Sequence, residues 1–249
     1  HISVAKASRI LGLPYEQVAV NPKGQIDPDK IGDISNACLV LTAGTTATGV
    51  IDSLTLAGQA KWTHVDAAWA GPLRLSSTHA HLLDGIDKAD SIAISAHKWL
   101  FQPKDSALIM FQDVDLANTA ISFGGGYLNT PNIGVQGSRG ASAISLLATL
   151  IAWGREGLAE YIDHAMSMAN MLAAEISKED DISLWAMPKS GVTVFRPLTM
   201  STEEFYVRLP DGMFSTCFFD GKKWVRSVAA NPLADIEKII NAVQEAMSE

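Results

Sequence analysis

Cysteine is scarce in this sequence and long apolar runs are absent, and each absence excludes a class of protein. The two cysteines, Cys38 and Cys217, cannot form a disulfide framework and do not have the spacing of metal ligands. They favour a reducing compartment, and we expect a cytoplasmic protein. The longest apolar stretch, residues 143–153, is shorter than a membrane span and is interrupted by Ser145 and Thr149. We therefore expect neither a signal peptide nor a membrane-spanning helix.

The chain has no excess of positive charge, which argues against nonspecific binding to nucleic acid. It holds 27 acidic and 19 basic side chains, for a net charge of −8.

The sequence shows neither an internal repeat nor a low-complexity tract, and its 249 residues, 47% of them hydrophobic, can bury the core of one or two domains. Because the first residue is His1 and not Met, a processed product, a fragment and one part of a larger assembly are all open.

Hydrophobic periodicity predicts an α/β region followed by a smaller α+β region. A long helix is predicted at residues 141–177, with a break at Gly154 or Gly157, and Asp52 or Ser53 is expected to cap a short helix. The other predicted helices span residues 4–11, 202–209 and 233–247, and residues 75–86 are expected to form a helix and a connecting loop. The predicted strands span residues 38–42, 62–67, 91–95, 106–111, 182–187, 192–197, 214–219 and 224–229.

A lysine that follows the third predicted strand is the strongest chemical signal in the chain. Ile92 and Ile94 alternate with small residues, which is typical of a strand packed between two layers. Lys98 lies in the turn after this strand, where open α/β sheets bind ligands. A partly desolvated ammonium is unfavourable unless it is paired or neutralised, and an imine to an aldehyde cofactor removes the charge. A lone lysine in such a loop is more often a surface residue.

An acid lies at the end of the second predicted strand. Asp66 and Lys98 can therefore meet across one crevice and bind opposite sides of a flat ligand. If the ligand is a pyridine ring, Asp66 would keep the ring nitrogen protonated, and the ring would then act as an electron sink. Ala67 and Ala68 are small enough for a ring to lie directly on the strand. Taken alone, Asp66 is more often a helix N-cap or a loop acid.

The segments HVDAAW at residues 64–69 and AHKW at residues 96–99 together resemble the group II amino-acid decarboxylases that depend on pyridoxal phosphate. The resemblance extends from residue 1 to about Met247. It implies the aspartate aminotransferase fold, fold type I, which is an α/β architecture with a mostly parallel sheet sandwiched by helices. The expected domains are a large cofactor-binding domain at residues 1–178, truncated at its N-terminus, and a small C-terminal α+β domain at residues 179–249.

The resemblance implies roles for particular side chains. Lys98 is expected to form the imine with pyridoxal 5′-phosphate, Asp66 to bind the ring nitrogen, and His1 to stack on the ring. These three are the expected catalytic residues, although His1 as a first residue is equally compatible with disorder. The other residues expected to contact the cofactor are Thr46, Ala68, Ser95 and His97.

An arginine lies inside the last predicted strand, after a hairpin whose loop is expected to be lengthened by Lys222 and Lys223. An arginine in a buried strand needs an anion. The resemblance implies that Arg226 binds the substrate carboxylate. The alternative is an internal salt bridge with the preceding domain.

The chain departs from the family pattern in two places. The loop at residues 123–131 is shorter than the family segment whose tyrosine protonates the substrate carbon, and Tyr127 matches a position before that tyrosine. The family also has a segment before His1 that supplies part of the sheet and the main phosphate-binding loop, and no such glycine-serine loop is visible here. Arg139, at the start of the long helix, is a candidate for binding an anion. A compact variant and a chain that needs a second chain are both open.

The expected function is the decarboxylation of an amino acid by a pyridoxal-phosphate-dependent carboxy-lyase. The expected partners are an amino-acid substrate and a second copy in a homodimer, with a separate N-terminal chain as a further option, and neither nucleic acid nor membrane is expected. Two alternatives stay open. One is another reaction of the same cofactor, of the aldehyde synthase or aminotransferase type, and the other is a non-catalytic fragment or subunit. The sequence does not identify the amino acid.

Overall fold

The computed structural model describes residues 1–122, 133–134 and 140–248, with the side chain of Ser142 excepted. These residues form two four-stranded sheets and five α-helices. The predicted loop that contains Tyr127, and the candidate anion-binding Arg139, lie outside the described residues. Within the described part of the chain, no helix is long and apolar enough to cross a membrane.

The first sheet carries the two motifs, and its strands follow each other in the order β1-β2-β3-β4. Strands β1, β2 and β3 run parallel, whereas β4 pairs antiparallel to β3. The sequence pattern therefore predicted all four strands to within one residue, because alternating or continuous apolar runs bounded by turns mark them clearly. The strands are Cys38–Thr42 (β1), Trp62–Asp66 (β2), Ser91–Ser95 (β3) and Ala107–Phe111 (β4).

Short 3-10 helices connect these strands, and the predicted cap of the first connection is wrong. Ser53 precedes the 3-10 helix Leu54–Leu56, but its side chain makes no capping hydrogen bond. The Asp52 carboxylate instead accepts from the backbone N–H of Ile26 and of Thr42, each at 2.7 Å. Burial raises the pKa of Asp52, and the two hydrogen bonds oppose this effect. Asp52 therefore ties the end of β1 to a preceding turn and does not cap a helix.

Four of the five α-helices were predicted, with ends displaced by a few residues, whereas the helix Val114–Ile121 was not. Residues 75–86, predicted as a helix with a connecting loop, contain the short 3-10 helix Ala80–Leu83 and no α-helix. The first helix ends at Gly12, whose φ of 66° is in the left-handed region typical of a glycine C-cap. The long helix is interrupted at Gly154, one of the two predicted break positions, where φ is 63° and ψ is −173°. The helices are Ile2–Leu11 (α1), Val114–Ile121 (α2), Ser142–Ile176 (α3), Thr202–Arg208 (α4) and Ile236–Ser248 (α5).

The second sheet is antiparallel throughout and has the order β5-β6-β8-β7. The sequence predicted that Lys222 and Lys223 lengthen the hairpin loop of this sheet, and this prediction is wrong. Both lysines belong to a strand, because Phe219 pairs with Lys222 across a two-residue turn. The turn residues Asp220 and Gly221 both have positive φ, as a tight hairpin requires. The strands are Ile182–Leu184 (β5), Val192–Pro197 (β6), Ser215–Phe219 (β7) and Lys222–Val228 (β8).

Each face of the second sheet packs against a different part of the molecule. Phe195 and Val225 belong to an apolar cluster with residues of α3, α4 and α5. Val194 and Trp224 belong to the core that includes the first sheet. The core therefore includes residues from both sides of the predicted domain boundary between residues 178 and 179. The boundary itself stays a prediction.

Two tryptophans join the first sheet to the second. The indole N–H of Trp69 donates to the carbonyl of Ser190 at 2.6 Å, and the indole N–H of Trp99 donates to the carbonyl of Ala229 at 2.9 Å. The two rings contact each other, with their centroids 4.6 Å apart. Gly191 has φ +70°, and a Cβ there would lie 2.5 Å from Trp99 Cζ2. Only glycine fits at this contact between the sheets.

Replacing Gly191 by alanine is expected to lower the free energy of unfolding by about 2–4 kcal/mol, because left-handed backbone strain adds to overpacking against Trp99. Gly212→Ala is the matched control: Gly212 has φ +75°, but a Cβ there meets no atom within 4 Å. The control should lose only about 1–2 kcal/mol. Denaturant unfolding of both variants measures the difference, and equal losses would show that the contact with Trp99 is not restrictive.

Candidate active site

The parallel strands of the first sheet bring several predicted site residues to one edge. Thr42 lies beside Asp66, and Asp66 lies beside Ala93 in the strand register. Pairing continues beyond the strand ends, since the Ser95 N–H donates to the Ala68 carbonyl at 3.3 Å. Asp66, Ala68 and Ser95 therefore lie together where the carboxyl ends of the strands meet.

A tight turn places Lys98 next to this edge. The Lys98 N–H donates to the Ser95 carbonyl at 3.2 Å, and Ala96 and Trp99 anchor the turn because both are buried. The Lys98 side chain is half-buried. Its amine makes no hydrogen bond or ion pair with any residue that the structure describes. A cation in this position is available to a ligand.

Lys98 and Asp66 act on each other electrostatically without forming an ion pair. Burial lowers the pKa of Lys98 from its ordinary value of 10.5, and the negative charge of Asp66 opposes this effect. The amine and the carboxylate are more than 4.0 Å apart, since no ion pair joins them. The lowered pKa increases the fraction of neutral amine, which is the form that attacks an aldehyde.

The Asp66 carboxylate is held by its own turn. One oxygen accepts from the Ala68 N–H at 3.1 Å, and the described residues make no hydrogen bond to the other oxygen. His64 lies two positions earlier on β2, and therefore on the same face. Burial lowers the pKa of His64, the charge of Asp66 opposes this, and His64 Nδ1 is 2.8 Å from Ser91 Oγ. His64 belongs to the motif, but sequence reasoning assigned it no role.

Two predicted site residues from distant parts of the chain meet through a hydrogen bond. Arg226 on β8 donates from its guanidinium to the backbone carbonyl of Thr46, and its Nε donates to Ser215 Oγ at 3.0 Å. No carboxylate in the described ranges pairs with Arg226. The internal salt bridge considered as an alternative is therefore not formed there, and the charge of Arg226 is not neutralised.

His1 and His97 have weaker structural support for a role. His1 is exposed and caps α1, with Nδ1 at 2.8 Å from Ser3 Oγ. His97 is exposed, and its ring has no hydrogen-bond partner among the described side chains. Both assignments stay predictions.

Sequence reasoning missed the side chains that hold the site together. Trp69 and Trp99 end the two motifs, and both are buried against the second sheet. Ser215 orients Arg226 from the neighbouring strand. The recurrence of tryptophan at the end of each motif was the available signal, whereas nothing in the sequence pairs Ser215 with Arg226.

The residues present fit an aldehyde-bearing pyridine cofactor. Lys98 offers an unpaired amine, Asp66 offers a carboxylate oxygen, and the Ser95 hydroxyl is not engaged by any described side chain. Gly44 begins the loop that carries Thr46, and its φ of +94° lies in the positive region that favours glycine. Over the described ranges, no group of three or more His, Cys, Asp or Glu side chains could hold a metal ion.

Comparison with known proteins agrees with this geometry. A model of the pyridoxal-dependent decarboxylase conserved domain matches residues 1–197. Aspartate 1-decarboxylase of Aliivibrio fischeri is 33% identical over 219 residues, covering 79% of this chain and 40% of that protein. L-2,4-diaminobutyrate decarboxylase of Rhizobium meliloti is 29% identical over 293 residues, covering 100% of this chain and 58% of that protein. The chain spans about half the length of these curated relatives.

Solved structures confirm the predicted fold class. Mouse CSAD in its apo form has a TM-score of 0.84 and 24% identity, covering 99% of this chain and 62% of that one. Oryza sativa TDC, solved with PLP and tryptamine, has a TM-score of 0.85 and 19% identity, covering 100% of this chain and 61% of that one. At sequence identities below 25%, the structural similarity shows a shared fold, and the match to the family model shows the family. The chain belongs to the pyridoxal-dependent decarboxylase family.

Proposed function

We propose that this chain takes part in the decarboxylation of an amino acid with pyridoxal 5′-phosphate, as a carboxy-lyase. The half-buried, unpaired amine of Lys98, facing Asp66 across the strand ends, is the observation that carries the proposal. When bound, the cofactor supplies an aldehyde and an electron-accepting ring that stabilises the charge left on the α-carbon as carbon dioxide leaves. Family membership supports the same chemistry.

Lys98 and Asp66 have separate roles in this proposal. Lys98 would hold the cofactor through its amine, whose neutral form is favoured by burial. Asp66 would bind the ring nitrogen and favour its protonated form, because a charge pair near a protein surface is worth a few kcal/mol, on the order of 4 kcal/mol at close range. Either Lys98 or a loop residue returns a proton to the substrate carbon.

The remaining site residues bind or orient. Ser95 and His97 would donate to the cofactor phosphate, Thr46 and Ala68 would line the ring, and His1 would stack on it. Arg226 would bind the substrate carboxylate. Its position beside Thr46 and its lack of a carboxylate partner among the described residues support that assignment.

Assembly and substrate class are also proposals. The family resemblance supports a homodimer, with residues 1–178 binding the cofactor, residues 179–249 forming the small domain, and a separate N-terminal chain as one source of the phosphate-binding loop. The names of curated relatives include decarboxylases of aspartate, 2,4-diaminobutyrate, cysteine sulfinic acid and aromatic amino acids. We therefore propose an amino-acid substrate without choosing its side chain. The free thiols of Cys38 and Cys217 support a cytoplasmic location.

Borohydride treatment of the chain with pyridoxal phosphate is expected to label Lys98, because its amine is half-buried, unpaired and partly neutral. Peptide mapping locates the label, and Lys98→Ala should abolish it. Lys104→Ala removes an exposed lysine near the same turn and is the matched control, which should keep the label. Label on Lys104, or on several lysines equally, would contradict the role of Lys98.

Product analysis then distinguishes the reactions. Carbon dioxide and an amine support decarboxylation, whereas an aldehyde or a keto acid indicates another reaction of the same cofactor. A labelled chain that forms no product from any amino acid tested would favour the non-catalytic subunit.

The reactivity of Lys98 should depend on pH with a midpoint below the ordinary lysine value of 10.5, because burial lowers its pKa. Asp66 raises the pKa of Lys98, so Asp66→Asn removes the raising effect and should move the midpoint to still lower pH. Competitive acetylation followed by mass spectrometry measures the midpoint, with Lys104 as an internal reference in the same sample. A midpoint that rises in Asp66→Asn would show that the carboxylate does not act on Lys98.

Arg226→Gln is expected to lower kcat/KM for the amino-acid substrate by about 10- to 100-fold, chiefly through a higher KM, because a charge-assisted contact to the carboxylate is lost. Arg226→Lys keeps the charge without the planar fork and should give an intermediate value. Arg155→Gln removes an exposed arginine and should leave both constants unchanged. An unchanged KM in Arg226→Gln would remove Arg226 from the substrate site.

A further inference from the structure

A cavity lies between the second sheet with the segment after β5 on one side and residues 22–25 and 48–51 on the other. Its volume is about 300 Å³, within the range of small-molecule sites. The second sheet and the segment after β5 supply an apolar wall that includes Trp185, Met187, Val192 and Val194, and Pro22, Val50 and Ile51 add apolar contacts from the other side. Lys98, Asp66 and Arg226 do not line it. The cavity is therefore distinct from the candidate active site.

The charged side chains that line the cavity are both positive. Lys23 and Lys189 are exposed at its rim, and no carboxylate among the described residues lines it. Neither lysine has an ion-pair partner within the part of the chain that the structure describes. The two positive charges at the rim and the apolar wall together favour an anion with an apolar body as the ligand of this cavity.

The wall opposite the second sheet is well ordered by hydrogen bonds. The Gln25 amide donates to the Ile51 carbonyl at 2.7 Å, and the Val50 N–H donates to Thr45 Oγ1 at 3.1 Å. Ser190 donates from its hydroxyl to the Gly49 carbonyl, which ties this wall to the segment before β6. The cavity is thus bounded by segments that are hydrogen-bonded to each other, as a preformed site requires.

We propose that this cavity binds a small carboxylate with an apolar body, with the body against Trp185 and Val194 and the carboxylate at Lys23 and Lys189. Residues 48–51 form one wall and follow closely on Thr46, whose carbonyl accepts from Arg226. A bound molecule therefore contacts the rear of a loop that belongs to the candidate active site. The binding itself does not depend on the proposed function.

Titration of the full chain with indole-3-propionate, followed by backbone amide NMR, tests the proposal. The largest shifts are expected at the amides of residues 23–25, 48–51 and 185–192. Indole-3-propionamide is the matched neutral probe and should bind about tenfold more weakly, because it lacks the charge that the lysines attract. Lys23→Gln combined with Lys189→Gln should weaken the acid about tenfold and leave the amide unchanged.

Three controls make the outcome decisive. Lys61→Gln combined with Lys88→Gln removes the same charge from exposed positions outside the cavity and should not change the affinity for the acid. Val50→Phe fills the cavity from its loop wall and should abolish both sets of shifts. Lys98→Ala should change neither. Shifts spread over the exposed apolar residues of α1 and α3, equal affinity for acid and amide, or no binding by the folded chain would each overturn the proposal.

Discussion

The two indole hydrogen bonds between the sheets are the contacts on which the rest of the site depends. Trp69 comes shortly after Asp66 in the first motif, and Trp99 comes directly after Lys98 in the second. The short segments that present the reactive groups therefore also bind the second sheet. That sheet carries Arg226. Because buried indole N–H groups need acceptors, the distance between the reactive edge and Arg226 is set by contacts that are unfavourable to break. Gly191 permits this approach by having no side chain.

Much of the fold could be predicted from local patterns, and the errors have a common physical cause. Alternating apolar residues located the strands, and Gly12 and Gly154 ended or interrupted helices where their positive φ requires glycine. Asp52 was misassigned because a buried carboxylate can serve backbone donors far away in sequence as well as a helix start. Lys222 was misassigned because a two-residue turn leaves the next residue in the strand.

The candidate site could be predicted in part, for a topological reason. Parallel neighbouring strands bring their carboxyl ends together, so Asp66 and the turn with Lys98 had to lie at one edge once the strand order was right. The contact between Arg226 and Thr46 depends on how two sheets pack, and no local pattern contains that information. The same holds for Ser215, which is oriented by strand pairing in the second sheet. Sequence motifs therefore locate the chemistry, and packing determines which distant side chains join it.

The charges of the site lead to a last inference about what it recognises. The chain carries 27 acidic side chains against 19 basic ones, so carboxylates are available to pair every cation. Lys98 and Arg226 nevertheless have no carboxylate partner among the described residues, and Asp66 stays more than 4.0 Å from the Lys98 amine. An unpaired Lys98 amine at the edge of the first sheet and an Arg226 without a carboxylate partner on the second sheet are two groups that an anion can neutralise. The cofactor phosphate and the substrate carboxylate of the proposed function are both anionic, so these cations would suit both.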